Sequence, residues 1–396
     1  MTRNRGLVPG LWTGLLYLLL LLGAAILAIR YTRGLGAVTH LSDAFPWGLW
    51  VGFDVLCGVG LAAGGFAITC AVYVFNIKRL KPIVRPAILT AFLGYVLVVV
   101  ALLFDLGRPW NIWHPLVMWN PRSVMFEVSW CVTLYLTVLF LEFSAMLFER
   151  LGWTRALAVQ HAASVPLVIA GTLLSTLHQS SLGSFYLIVP AKLHPLWYTP
   201  LLPVMFFLSA LAVGLAMVIV ESRLSARAMG HRLEMPILIE VGRALVAALG
   251  VYAMARVYDL GQRGAFVEAF RPTPEAALFL LEFVGGVLLP LALLAREVSR
   301  RNTRTLYGAS LLVVLGFVAN RLNVSITGLE RAAGARYVPA WPEFVITVML
   351  VGIGFALFRL AVKHLPVYPA EDVPRIPVAA GPPAPTPVLV SAHVKT

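Results

Sequence analysis

Apolar residues in this 396-residue chain gather into long runs separated by short polar segments. A membrane hydrocarbon core about 30 Å thick needs roughly 20 consecutive apolar residues in a helix. By that criterion the sequence predicts an all-α polytopic membrane protein with ten spanning helices. The predicted spans cover residues 10–30, 47–76, 86–105, 123–148, 156–178, 200–221, 236–258, 275–296, 305–322 and 342–362.

A β-barrel and a cleaved signal peptide both fit these runs less well. A transmembrane β-barrel would show alternating segments of ~10 residues, whereas these runs are unbroken. The first run follows a basic flank, as a signal peptide does, but it is too long and no clear small-residue cleavage site follows it. We therefore interpret it as an uncleaved first membrane helix.

Composition excludes several classes of protein. Hydrophobic residues make up 60% of the chain and charged residues 12%, against about 25% charged in soluble domains. This balance excludes a soluble globular domain, a disordered chain and a secreted disulfide scaffold. The three cysteines, Cys57, Cys70 and Cys131, lie inside apolar runs and form no CxxC pair. We therefore expect no iron–sulfur cluster and no metal site in this chain.

The formal net charge of +13 is explained by topology. Of the 31 Lys and Arg residues, 19 lie at the termini and in the even-numbered loops, and 10 lie in the odd-numbered loops. The positive-inside rule then predicts that both termini are cytoplasmic. The basic excess needs no nucleic-acid partner.

Charged residues within the predicted spans are costly, and they usually mark a pathway or a site. They are Asp54, Glu127, Glu142, Glu240, Arg243, Arg256 and Glu282. At about 1.5 Å of rise per residue, Asp54 and Glu127 lie near the outer ends of their spans. The same outer level holds four further polar residues, namely Asp105, Arg108, His178 and Gln179. Four consecutive helices thus predict one site that opens to the outer half of the membrane.

Glu142 lies on the same predicted helix as Glu127, fifteen residues further on and within 60° around the helix axis. One carboxyl near each end of a helix would suit a proton path to the cytoplasm. An interfacial Glu142, solvated or paired with Arg150, accounts for the spacing equally well. In the second half, we expect structural ion pairs between Glu240 and Arg243, and between Arg256 and Glu282.

The histidines argue against haem in this chain. A membrane b-type haem usually needs two facing histidines inside a bundle. Of eight histidines, only His161 and His178 border a span, and they lie at opposite ends of one helix. His178 stands beside Gln179 and two serines, where a neutral imidazole could donate to a carbonyl oxygen or take a proton.

Segments outside the spans add less information. The aromatic loops 40–50, 108–122 and 189–200 fit an interfacial belt, and they also suit a partner-docking surface. GVGLAAGG at 58–65 is typical of close helix packing. Residues 366–396 carry eight prolines without a period, and we expect a disordered cytoplasmic tail after a membrane domain of residues 1–365.

Six strings, in this order, resemble the NrfD-like integral membrane subunits. They are FPWGLWVGFD (45–54), YVFN (73–76) followed by PIVRPA (82–87), NPRSVMFE (120–127), LEFSAMLFERLGW (141–153), HQSSLGS (178–184) and HPLW (194–197). The resemblance runs from the first span to the tenth. It is strongest to the HybB-type branch, the quinone-reactive subunits of periplasm-facing nickel–iron hydrogenases.

This resemblance implies two four-helix bundles, formed by spans 2–5 and 6–9, in a chain of the bacterial or archaeal inner membrane. The quinone bundle would cover about 47–178 and the second bundle about 200–322. The chain would hold no redox centre of its own. It would take electrons from a periplasmic iron–sulfur subunit, within a nickel–iron hydrogenase of large and small subunits, and pass them to menaquinone or ubiquinone.

As a hypothesis, His178 and Gln179 bind the quinone, and Asp54 and Glu127 exchange protons. Asp105 and Arg108 would shape the outer rim, and Tyr95 would connect the site with Glu142. A secondary transporter of a small solute or ion is the alternative, because intramembrane carboxylates and two halves are compatible with one. An inert anchor for a periplasmic enzyme is a third possibility.

Overall fold

The computed structural model describes residues 7–188, 193–230 and 233–368, and the predicted tail lies outside them, apart from its first three residues. The described chain is all-helical apart from one isolated β-bridge between Ser42 and Phe45. Ten of its helices are long and apolar enough to cross a membrane, which confirms the predicted number. We number them α1 (Leu7–Arg33), α2 (Trp50–Tyr73), α3 (Lys78–Asp105), α4 (Val124–Leu151), α5 (Thr154–Phe185), α6 (Leu202–Met229), α7 (Met235–Gln262), α8 (Pro274–Ala295), α9 (Thr303–Ala333) and α10 (Trp341–His364).

Three helices contain a π-helical segment, in which the backbone has more residues per turn than an α-helix. These segments are Trp50–Cys57 in α2, Leu281–Leu288 in α8 and Asn323–Thr327 in α9. The segment in α9 is followed by a further helical turn, so α9 continues to Ala333. The predicted end of this span at residue 322 was therefore eleven residues too early. Each segment places a polar side chain inside the protein, including Asp54, Glu282 and Asn323.

At two helix crossings, glycine residues bring the backbones of neighbouring helices into direct contact. Helices α2 to α5 pack on one another, α6 to α9 do the same, and α6 touches both α2 and α5. A Cβ added to Gly64 would lie 2.8 Å from the Gly214 carbonyl oxygen, and one added to Gly286 would lie 2.3 Å from the Gly316 Cα. Glycine is therefore required where α2 crosses α6 and where α8 crosses α9. Helix α1 packs on α10, which packs on α3.

The two ends of the helices differ in charge. We call the end that carries the connections after α2, α4, α6 and α8 the basic face, and the opposite end the loop face. The loop face carries the longer connections 34–49, 106–123 and 263–273, together with the segment 193–201. A short helix, His114–Val117, lies in the second of these, beside exposed Trp110 and Trp119.

Candidate functional site

His178 and Gln179 lie in α5, fully enclosed by the helices around them. Neither ring nitrogen of His178 has a hydrogen-bond partner. The Gln179 amide nitrogen donates to the Val59 carbonyl of α2 at 3.1 Å, while its side-chain oxygen has no partner. Buried polar atoms are almost always paired, so three unpaired atoms on adjacent residues need a physical cause.

Two tyrosines continue this polar group into the neighbouring helices. The Tyr95 ring of α3 lies 5.7 Å from the His178 ring and 4.7 Å from the Tyr135 ring of α4, centroid to centroid. Both tyrosines are at most 1% exposed, and neither hydroxyl has a hydrogen bond of normal geometry. The hydroxyl of Ser175, one turn before His178, is unpaired as well.

Glu142 follows Tyr135 on the same face of α4, seven residues nearer the basic face. It is buried, and one of its carboxyl oxygens has no partner. The carboxyl is close enough to Tyr135 and to Tyr73 to act on both electrostatically, and Tyr73 is exposed at the end of α2. We call the residues Tyr95, Tyr135, Glu142, Ser175, His178 and Gln179 the polar column.

The remaining predicted site residues lie elsewhere. Glu127 is exposed in the first turn of α4, where it accepts a 2.5 Å hydrogen bond from Ser181, one turn after His178. Arg108 is exposed on the loop face, and no ion pair involves it in the described part of the chain. Glu127 is therefore joined to the end of the column, and Arg108 is not.

Asp54 and Asp105 belong to a separate acidic group beside α1 and α10. Asp54 accepts a 3.0 Å hydrogen bond from Thr347 of α10. Asp105 is near Glu343 and near Arg30 of α1, whose guanidinium donates to the Phe104 carbonyl at 2.7 Å and to the Leu106 carbonyl. The side chain of Asp54 therefore faces α10, and Thr347 is its hydrogen-bond partner.

Glu343 organises the loop-face end of that acidic group. Its carboxylate accepts the backbone N–H groups of His40 and Ala340, each at 3.0 Å, and the Tyr337 hydroxyl. Burial raises the pKa of Tyr337, and the neighbouring Glu343 carboxylate raises it further. Tyr337 therefore stays protonated and keeps donating to Glu343, which fixes the 34–49 connection to α10.

In the second half, the polar residues around Glu282 and Arg321 form a satisfied network. Glu282 accepts from Trp197 at 3.0 Å, from Asn320 at 2.9 Å and from Asn323 at 2.5 Å. Arg321 donates to Asn320 and to Ser209, each at 2.8 Å, and its guanidinium lies 3.7 Å from the Phe206 ring centroid. A cavity of about 20 Å³ beside Glu282 and Tyr252 has room for one water molecule.

Two predicted ion pairs were wrong, one expected within a helix and one between neighbouring helices. Arg256 donates to the Leu196 carbonyl at 2.7 Å, and Glu282 takes neutral donors, so the two have no direct salt bridge. Glu240 pairs with Arg79 at 2.9 Å, and the nearest carboxylate to Arg243 is that of Glu297, at 3.8 Å. In both cases the observed partner comes from a segment that neither helix spacing nor depth in the membrane had indicated.

His194 shows how the second half holds the 193–201 segment. Its backbone N–H donates to the Gly328 carbonyl at 2.8 Å, and its Nδ1 accepts from the Leu196 N–H at 3.2 Å. Burial lowers the pKa of His194, which keeps the imidazole neutral and able to accept. Thr199, at the end of the segment, donates to Asp259 at 2.5 Å.

The described histidines offer no facing pair for haem. His178 is the one buried inside a spanning helix, and its nearest described ring is that of Tyr95. His161 and His364 are exposed, and His40 is bonded to the Val338 carbonyl on the loop face. No three of the described His, Cys, Asp or Glu side chains group together to hold a metal ion.

Comparison with known proteins agrees with the motifs. The family model described as polysulphide reductase, NrfD, matches residues 37–333. A protein of Nitratidesulfovibrio vulgaris is 42% identical over 88% of this chain and 92% of its own length. The probable Ni/Fe-hydrogenase 2 b-type cytochrome subunit of Escherichia coli K12 is 34% identical over 86% of this chain and 88% of its own length.

A further relative carries a quinone in its name. The menaquinone reductase integral membrane subunit of Nitratidesulfovibrio vulgaris is 29% identical over 86% of this chain and 87% of its own length. The family model covers well over half of the chain, and each of these three relatives aligns over at least 86% of it. The resemblance inferred from the motifs is thereby confirmed, and the chain belongs to the NrfD (polysulphide reductase) family.

Proposed function

We propose that the chain is the membrane subunit of a respiratory oxidoreductase complex and exchanges electrons between a partner protein and membrane quinone. One observation carries the proposal, namely the unpaired nitrogens of His178 and the unpaired oxygen of Gln179, buried among helices α2 to α5. A site that lacks its own partners is ready to pair with a ligand. The names of the hydrogenase and menaquinone reductase relatives support the same role.

His178 and Gln179 would act on one quinone carbonyl. A neutral imidazole donates through one nitrogen and accepts through the other, so it can hold the carbonyl oxygen and exchange a proton with it. Gln179 is fixed by its bond to Val59, which leaves its position unchanged when a ligand enters. The Tyr95 ring would form one wall of the site.

Quinone entry would require side chains to move, because His178 is fully enclosed. At the loop-face end, the Trp47 ring lies tilted against the Phe185 ring with centroids 4.4 Å apart, and it meets the Tyr186 ring edge-on with centroids 5.8 Å apart. We propose that this aromatic group opens to admit the quinone ring. Its place at the loop face suits a site near the outer surface of the inner membrane.

The polar column would carry protons between the quinone site and the basic face. It runs from His178 through Tyr95 and Tyr135 to Glu142, and each of these side chains has an unpaired polar atom. Glu127 would give a second proton contact through Ser181. Asp54 and Asp105, beside α10, would exchange protons at the outer rim, and exposed Arg108 would contact the electron donor.

The electron donor would be a periplasmic iron–sulfur subunit, in a complex with nickel–iron hydrogenase large and small subunits. The 34% identity to the Escherichia coli hydrogenase subunit supports this partner. The name of that relative implies a b-type haem, but the described histidines do not fit a bis-histidine haem. We therefore propose that the electrons reach the quinone, whether menaquinone or ubiquinone, directly from the partner.

A secondary transporter is disfavoured by the same comparisons, because the named relatives are subunits of oxidoreductases. The unpaired column also weighs against an inert anchor. The test is mass spectrometry of the complex that copurifies with this chain from native membranes in mild detergent, with the lipids extracted. Hydrogenase subunits, an iron–sulfur protein and a quinone are expected. A molybdenum enzyme would change the partner but keep the quinone role, and a lone chain without quinone under repeated gentle extraction would contradict the proposal.

A further inference from the structure

A groove on the basic face is unrelated to the polar column. It lies between the connection from α2 to α3 and the first turns of α7, and its volume is about 620 Å³. It is lined by Asn76, Ile77, Lys78, Arg79, Glu240 and Arg243. We propose that this groove binds the headgroup of an anionic phospholipid.

The charges in the groove favour a phosphate. Arg79 is compensated by Glu240 at 2.9 Å, whereas Lys78 has no ion pair among the described residues. The nearest carboxylate to Arg243 is that of Glu297, 3.8 Å away, and Glu297 is already bound by Arg301 at 2.8 Å. The lining thus has one cation, Lys78, without an ion pair in the described part of the chain, and a second, Arg243, whose nearest described carboxylate is shared with Arg301. Such incompletely compensated cations attract anionic headgroups at the cytoplasmic side of membrane proteins.

The wall beside the cations is apolar, and this favours a lipid over a soluble anion. Ile77, which is 43% exposed, lines the groove, and Val74 and Phe75, just before it in the chain, extend this apolar surface with exposures of 46% and 70%. A phosphate or a nucleotide gains nothing from such a wall, whereas the first methylenes of an acyl chain are buried against it. Basic residues next to apolar ones at the membrane boundary match the two parts of a phospholipid.

The backbone holds both parts in place. Asn76 adopts a left-handed conformation with φ of 57°, which turns the chain sharply after α2. The Ile77 N–H then donates to the Ala71 carbonyl at 2.9 Å, and the Lys78 N–H donates to the Asn76 carbonyl at 3.0 Å. The apolar wall and Lys78 are therefore presented from one fixed turn, opposite Arg243 of α7.

Native mass spectrometry of the full chain, stripped of lipid and titrated with defined lipids, tests the proposal. Phosphatidylglycerol should bind more tightly than phosphatidylcholine with the same acyl chains. In the double variant Lys78→Gln with Arg243→Gln, affinity for phosphatidylglycerol should fall about 30-fold, at roughly 1 kcal/mol per cation. The charge-keeping variant Lys78→Arg with Arg243→Lys should retain most of the affinity.

The matched control is Arg227→Gln with Lys363→Gln, which removes the same charge from exposed positions near the same face. We expect its affinity to stay within about twofold of the wild type. An equal loss in this control would overturn the proposal in favour of a general surface-charge effect. Equal binding of the two lipids would also overturn it, as would full displacement of phosphatidylglycerol by millimolar inorganic phosphate, which would indicate a site for soluble anions.

Discussion

Both halves of the membrane domain bury polar groups, but they differ in how far those groups are hydrogen-bonded. In α6 to α9, Glu282 accepts three hydrogen bonds and Arg321 donates to three acceptors. In α3 to α5, the side chains of Tyr95, Tyr135 and His178 make no hydrogen bond of normal geometry. Eight of the eleven unpaired buried polar atoms among the described residues lie in those three helices.

This contrast separates structural burial from functional burial. A satisfied buried network stabilises one arrangement of the chain, and removing a member leaves its partners unpaired. An unsatisfied buried group costs free energy in the resting protein, and it persists where a ligand or a proton uses it. We therefore expect substitutions in the second half to reduce stability and substitutions in the polar column to reduce activity.

The largest effect on stability should follow Glu282→Gln. The change removes the carboxylate near Arg256 and Arg321, and it turns one acceptor into a donor that faces the asparagine amides. Each buried partner that such a change leaves unpaired typically costs about 1–3 kcal/mol. We expect a lower thermal midpoint in detergent and a lower folded yield, with unchanged quinone turnover per folded molecule. Glu240→Gln, which removes an exposed ion pair, should change the midpoint little.

A thermal midpoint for Glu282→Gln equal to that of the wild type would contradict the contrast between the two halves, because the network would then make no measurable contribution to stability. A normal midpoint combined with lost turnover would assign the second half a direct part in the chemistry.

The largest effect on activity should follow His178→Phe. If His178 binds the quinone carbonyl and exchanges its proton, its removal should lower quinone turnover about 100-fold. The thermal midpoint should stay the same or rise, because the imidazole has no partners to lose. Turnover is measured with the purified complex and a soluble quinone analogue.

Ser310→Ala is the matched control for His178→Phe. Its hydroxyl is also buried and unpaired, but it lies in α9 of the second half. Turnover should be unaffected there. Normal turnover in His178→Phe would remove this residue from the proposed site.

Glu142→Gln should have a smaller effect, because other groups or water can partly replace a proton carrier. In oriented proteoliposomes we expect electron transfer to fall roughly tenfold, and proton uptake from the basic face to fall further, so that fewer protons are taken up per electron. Glu149→Gln, seven residues further along α4, removes a half-exposed carboxylate paired with Arg85 at 2.6 Å and should leave both rates unchanged. An unchanged ratio of protons to electrons in Glu142→Gln would rule out this route.

The sequence predicted the ten spans because a run of about 20 apolar residues has few stable alternatives to a spanning helix. It also singled out His178, Gln179, Tyr95 and Glu142, because polar groups at that depth are costly. It missed Tyr135 and Ser175, which are uncharged and carry no comparable cost. The seven-residue spacing of Tyr135 and Glu142 is the signal that would have placed both on one face of α4.

The sequence did not allow the direction of the Asp54 side chain to be predicted. The π-helical segment Trp50–Cys57 changes the rotation per residue, and no residue in the segment indicates that change. Asp54 therefore faces Thr347 of α10, although its depth alone suggested a place beside His178. The depth of a residue in the membrane follows from counting residues along a helix. Its hydrogen-bond partner depends instead on how the helix is rotated and on which distant segments of the same chain pack against it.

The smallest effect concerns the 193–201 segment and its dependence on pH. The pKa of His194 is lowered by burial, so the folded chain binds fewer protons than the unfolded chain just below the ordinary histidine pKa of about 6.5. Between the lowered pKa of the folded chain and about 6.5, stability should therefore rise with pH. The stability contributed by His194 is present above about 6.5 and is lost as the pH falls from that value toward the folded-state pKa. Protonation breaks the bond from the Leu196 N–H to Nδ1, which is worth about 1 kcal/mol.

The measurement is the thermal midpoint of the wild type and of His194→Asn at neutral and mildly acidic pH. The asparagine side-chain oxygen can replace Nδ1 as the acceptor and does not titrate, so the variant should lose less stability on acidification. An identical loss in both proteins would place the sensitive group elsewhere. A large loss of turnover in His194→Asn at neutral pH, with a normal thermal midpoint, would contradict the contrast between a structural second half and a functional polar column. A residue of the second half would then act on the proposed quinone site.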